Sequence, residues 1–153
     1  MTTFFMYNKD MFMILSLFII SVVSMLPLRV IPWFGFFDMN TLLTVYASMV
    51  YGLPAGLIVG TASVFGIINS GDVDNNIFFD LCASYIVAIV ASFFLISAYV
   101  PIVTVLALTY ATLSLTFHKL FGTLDFLNVT WTITNFIWVI FVLYKILPLL
   151  GLA

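Results

Sequence analysis

The sequence predicts an all-α integral membrane protein, one bundle of six transmembrane helices, and three observations carry that expectation. Hydrophobic residues make up 65% of the 153-residue chain and charged residues only 7%, whereas a soluble domain is close to half apolar and about a quarter charged. The apolar residues fall in long uncharged runs broken at a few Gly and Pro positions. No run shows the apolar–polar alternation of a barrel strand, which leaves helices as the way to satisfy the backbone in lipid.

A crossing needs roughly 20 apolar residues at 1.5 Å rise each. The first run gives a helix over 11–28, ending at Pro27 and Arg29. It resembles a signal sequence, but no small-x-small cleavage site follows Leu26 and Pro27, so it is expected to persist as a mature helix. From Met39 to Asn69 no charge occurs, and one straight helix of that length would reach about 45 Å, beyond the hydrocarbon core. Tyr51-Gly52-Leu53-Pro54 supplies the break: glycine permits a reversal and proline suits the start of a helix. Helices are expected over 39–52 and 54–69. The same reasoning splits the next long apolar stretch at Ala98-Tyr99-Val100-Pro101 into helices over 77–98 and 101–119. The sixth, over 130–147, opens at Asn128 and Thr130 and closes at Lys145 and Pro148. One domain, 1–153, results.

Six crossings put both termini on one side, expected to be the cytoplasm. Lys9 and Lys145 flank the termini, while Arg29, Lys119 and five of the six Asp fall on the opposite face. The Lys and Arg divide evenly, so this orientation draws little from the positive-inside rule. The two turns on the terminal side are short and uncharged. The three opposite connections hold Arg29, Trp33 and Asp38; then Asn69, Asp72, Asp74, Asn75, Asn76 and Asp80; then His118, Lys119, Asp125 and Asn128. Loops need polar residues to end helices, which explains many of these singly.

Several polar positions continue into the predicted helices on one face. Asp80, Ser84, Ala88 and Ser92 repeat every four residues, with Asp80 near the positive end of the helix dipole. Ala107, Ala111, Ser114 and His118 share a face, as do Asn128, Trp131 or Thr132, Asn135 and Trp138. Small and polar stripes face protein in a membrane. Interhelical packing accounts for the Ser and Ala positions; the amide of Asn135 and the imidazole of His118 are suited to a polar ligand, although capping or interhelical bonds suit them equally. Gly52, Gly56 and Gly60, continued by Ser63, form a flat stripe for helix packing or a partner.

Other chemistry is poorly represented. With three Lys and one Arg there is no basic patch for nucleic acid or anionic lipid. One His, Cys82 as the single Cys, and no Glu make no metal-ligand cluster, and no Gly-rich phosphate loop precedes a lysine. No metal or cofactor is expected. A carboxylate pair from Asp72, Asp74 and Asp80 is conceivable as acid and base, but nothing catalytic assembles around it, so the chain is not read as an enzyme. Cys82 has no partner for a disulfide and reads as packing, and Asn128-Val129-Thr130 matches a glycosylation acceptor by pattern alone.

Leu26-Pro27 through Asp38, and Leu42 through Gly66 with its VYGLPAGLIVGTASVFG segment, resemble the substrate-binding S components of energy-coupling-factor vitamin transporters. The likeness extends over nearly the whole chain in topology. It implies six helices with cytoplasmic termini, and an outer pocket built from the first loop and the outer ends of helices three to six. The chain departs from that family on helix one: no small-xxx-small alanine pattern for docking a coupling subunit lies between Met11 and Pro27, where Ser16, Ser21 and Ser24 are the nearest substitutes. The same form is similar to the small membrane subunit of bacterial cell-elongation complexes, a scaffold without a transported substrate.

The expected function is capture of a small water-soluble nutrient. The proposed pocket is Arg29, Asp38, Asn69, Asp72, Asp80, His118, Asn128, Trp131 and Asn135, its Asp excess favouring a cationic or hydrogen-bond-donating ligand. Energy would come from a coupling protein and ATPases in the same membrane. The alternative is a non-catalytic assembly subunit.

Overall fold

The computed structural model describes residues 2–25, 39–70, 76–94, 99–122, 124–146 and 148, which are helical apart from short turns, with no strand among them. Helix α1, Thr2–Met25, begins nine residues before the expected 11–28 because neither Gly nor Pro interrupts it. Helix α2, Asn40–Tyr51, lies within one residue of its expected bounds at each end. Gly52 then takes φ 86°, a conformation closed to most side chains, and its carbonyl receives the N–H groups of Ala55 at 3.1 Å and Gly56 at 3.3 Å. Pro54 occupies the first turn of α3, Leu53–Gly60, where its missing N–H costs nothing.

The single helix expected over 54–69 is two, α3 and α4, Ala62–Ser70, meeting at Thr61. Hydroxyls compete for backbone carbonyls at this joint: Thr61 Oγ1 donates to Ile58 O at 2.6 Å and Ser63 Oγ to Gly60 O at 2.9 Å. The Val64 N–H meanwhile tightens onto Thr61 O at 3.1 Å. Helix α5, Asn76–Ala91, stops short of the expected residue 98; turns through Ser92–Phe94 follow, with Ser92 Oγ donating to Ile89 O at 2.7 Å. Helix α6, Tyr99–Leu120, includes Pro101 in its first turn instead of starting on it, for the same reason that α3 tolerates Pro54.

Helix α7, Phe126–Phe141, begins four residues before the expected 130. Thr130, expected to open it, lies inside it and donates to Phe126 O at 2.8 Å, while the Val129 N–H reaches Asp125 O at 3.2 Å. A π-helical turn, Val142–Ile146, continues α7.

Helix α1 packs on α2, α3 and α4; α5 joins that group to α6; α7 packs chiefly on α6. One apolar cluster, including Val45, Val87, Val103, Leu106 and Val139, lies among α2, α5, α6 and α7; a smaller one has Leu17, Ala47, Ala55 and Val59. Large apolar side chains face outward, with Phe93 81% and Phe12 69% exposed, while Ser21, Asn40, Thr44, Asp80, Ser114, His118 and Asn135 are buried. Among the described residues one helix, Tyr99–Leu120, is long and apolar enough to cross a membrane; shorter apolar helices run over Asp10–Ser24, Leu53–Phe65, Phe78–Ala91 and Thr132–Ile146.

Candidate functional site

The four-residue repeat on α5 turns Asp80, Ser84 and Ala88 into the protein, 6%, 2% and 0% exposed, whereas Ser92 is only partly covered. Opposite, Tyr110, Ser114 and His118 recur at the same spacing on antiparallel α6 and are buried too. The stripes meet at Asp80: its Oδ1 accepts from Ser114 Oγ at 3.1 Å and from Tyr110 Oη at 3.3 Å. A carboxylate away from water requires such donors. One turn beyond Ser114, His118 stands edge-on to Phe79, ring centroids 6.3 Å apart. Phe79 also stacks on Phe121 at 4.4 Å, so aromatic rings close the end of the α5–α6 pair.

A second polar group adjoins the first through α5. Asn40, at the start of α2, accepts from Ser21 Oγ of α1 at 2.9 Å and donates through Nδ2 to Ser84 Oγ at 3.3 Å. Ser84 is one turn from Asp80, a rise of about 6 Å. Ser24 Oγ donates to Ser21 O at 2.7 Å and receives the Met39 N–H at 3.3 Å. Asn40, Ser21 and Tyr110 were absent from the predicted site. Asn40, Thr44 and Ser48 do repeat every four residues along α2, the same signal that marks Asp80 and Ser84.

Of the predicted pocket residues, the structure brings Asp80 and His118 to one end of the α5–α6 pair and buries Asn135 with Thr132 on α7. Arg29, Asp38 and Asp72 lie outside the described residues; Asn69 in α4 and Asn128 and Trp131 in α7 are described by their backbone. The glycine stripe is used within the chain. A Cβ on Gly56 would overlap Ser48 Oγ and stand 2.9 Å from Ser48 Cβ and 3.2 Å from its Cα, so the α2 and α3 backbones are nearly in contact there. Gly60 is likewise covered by Thr44 and Ser84. On helix one, Ser21 and Ser24 bond inward and Ser16 donates to Phe12 O at 2.8 Å, which occupies the side chains nearest to a docking pattern.

Among the described residues no three His, Cys, Asp or Glu stand together as a metal site would require. An open groove of about 720 Å³ lies beside Thr112, Leu115, Lys119, Leu124 and Val129 at the same end of α6, away from the buried carboxylate. No protein-family model matches the chain, and neither a curated protein nor a solved structure matches it.

Proposed function

We propose that this is a multi-pass membrane protein that captures a small water-soluble nutrient at a polar interior site centred on Asp80, for uptake driven by a separate ATPase module. The buried Asp80 carries this reading. A carboxylate 6% exposed, set among hydroxyls from α6 and one helical turn from Ser84, which bonds an amide on α2, is costly in an apolar bundle and typical of a solute or ion pathway. The apolar exterior supports the membrane setting. At 1.5 Å per residue, Tyr99–Leu120 extends about 33 Å, Phe126–Ile146 about 31 Å and Leu53–Ser70 about 27 Å, while α2 reaches only about 18 Å. Counting α3 and α4 as one interrupted rod, six helical rods are described, of which Tyr99–Leu120 is the one long and apolar enough to cross a membrane among the described residues. Cytoplasmic termini and the likeness to energy-coupling-factor S components belong to this proposal; the inward use of Ser21 and Ser24 requires any coupling subunit to dock on another surface.

Native mass spectrometry of the gently purified protein tests the reading. A retained metabolite that is lost in Asp80→Asn and Asn135→Ala supports capture and identifies the solute. A ligand-free protein held stoichiometrically by other membrane subunits sinks it and favours an assembly subunit, for which the groove beside Lys119 is the surface open to a partner helix.

A further inference from the structure

We infer that the open groove on α6 seats one membrane phospholipid, with its phosphate on Lys119 and one hydrocarbon chain along Leu115. The site is separate from the Asp80 centre and rests only on the membrane setting of the proposed function. Thr112, Leu115, Thr116 and Lys119 recur at helical spacing on the side of α6 away from the buried Tyr110, Ser114 and His118. Leu124, in the connection, and Val129, in the first turn of α7, complete the groove. Its volume of about 720 Å³ is that of a small-molecule site.

The lining concentrates its polarity at one end. Thr112 Oγ1 donates to Leu108 O at 2.8 Å and Thr116 Oγ1 to Thr112 O at 2.7 Å, so both hydroxyl protons are spent on the helix itself. Along the rise of about 10 Å from Thr112 to Lys119, the groove offers apolar side chains and no free hydroxyl proton. One exposed ammonium then stands in the last turn of α6. At the end of a bilayer-length helix, a lysine reaches the level of the lipid phosphates.

A cation at one end and hydrocarbon along the rest is the complement of a phospholipid. A compact ammonium binds phosphate as a point charge, and a chain seated in a groove gains more dispersion contacts than one on a flat helix face. A water-soluble anion would match Lys119 and leave the groove empty. A partner helix would have to bring its own acid to the ammonium, whereas every surrounding phospholipid carries one. One lysine at the end of a groove thus takes the place of the basic patch that the chain lacks. Asp125, exposed and adjacent to Leu124, opposes the phosphate and limits its hold.

Native mass spectrometry of the delipidated full chain in detergent, titrated with dioleoyl phosphatidylglycerol, tests the site against dioleoylglycerol, which has the same chains and no phosphate. One phosphatidylglycerol is expected to bind about fivefold more tightly than the diacylglycerol, the factor that one lysine contributes at a lipid headgroup. Lys119→Gln is expected to remove that preference, and Leu115→Trp to weaken both lipids by filling the groove. Equal binding of the two lipids by the unaltered chain, or a preference that survives Lys119→Gln, overturns the proposal. If Leu115→Trp does not fold, Lys119→Gln decides alone, because an exposed lysine carries none of the core packing. A membrane subunit held stoichiometrically by the freshly extracted protein, with phospholipid binding only after its removal, also overturns the lipid and gives the groove to a partner helix. A chain that stays in solution without detergent removes the membrane setting itself, a failure distinct from loss of the lipid preference.

Discussion

The α2–α3 hairpin and the α5–α6 pair hold neighbouring helices together by different means. Between α2 and α3 the contact is made by shape: Gly52 turns the chain, and Gly56 lets Ser48 approach until no room remains for a methyl group. Between α5 and α6 it is made by chemistry, with Asp80 bonded to Tyr110 and Ser114 and with Phe79 stacked on Phe121. In a lipid setting apolar burial gives little preference for helix over lipid, so close packing and interhelical hydrogen bonds are the two terms left to specify neighbours. The second sets a carboxylate among interhelical hydroxyl donors that a polar solute can replace, which is why the proposed capture site falls there.

The sharpest way to break this contrast is Gly56→Ala. Because its Cβ meets the backbone Cα of Ser48 as well as a movable hydroxyl, the helices must separate, at a cost of about 3 kcal/mol in unfolding free energy, with retention of any captured solute falling only as the folded fraction falls. Asp80→Ala comes next. It leaves the Tyr110 and Ser114 hydroxyls without their shared acceptor, a loss of about 2 kcal/mol, whereas Asp80→Asn keeps an acceptor oxygen and is expected to retain most of the stability while losing the solute. Equal stability losses for Ala and Asn would remove the special place given to that acceptor. Tyr110→Phe deletes one donor and should cost about 1 kcal/mol by denaturant titration. Ser21→Ala is expected to cost the least, about 0.6 kcal/mol, the scale of one interhelical hydrogen bond in a membrane protein; a cost as large as that of Asp80→Ala would shift the polar centre towards α1.

Much of the bundle was legible in the sequence for a simple reason. Glycine and proline act locally, so Gly52-Leu53-Pro54 marks the α2–α3 turn wherever the rest of the chain goes. Boundaries were less legible where polar residues have two uses: Thr130 reads as a helix start, yet its hydroxyl bonds back to Phe126 O from inside the helix. The joint at Thr61 was not legible because neither Gly60 nor Thr61 must break a helix; there the Thr61 and Ser63 hydroxyls bond to backbone carbonyls of the preceding turn.

The candidate site divides along the same line. The four-residue spacing of Asp80 with Ser84, and of Ser114 with His118, could be read directly, since helical period alone places such residues on one face. Which faces meet could not. That Asp80 bonds Tyr110, that Asn40 links Ser21 to Ser84, and that the glycine stripe is covered by the chain's own α2 and α5 all depend on the packing of segments far apart in sequence. By itself the sequence determined composition, helical period and turn positions, because these follow from single residues and near neighbours. Only the tertiary structure decided the partners, because the crossing of two helices is set by the fit of whole surfaces and by where buried donors find acceptors.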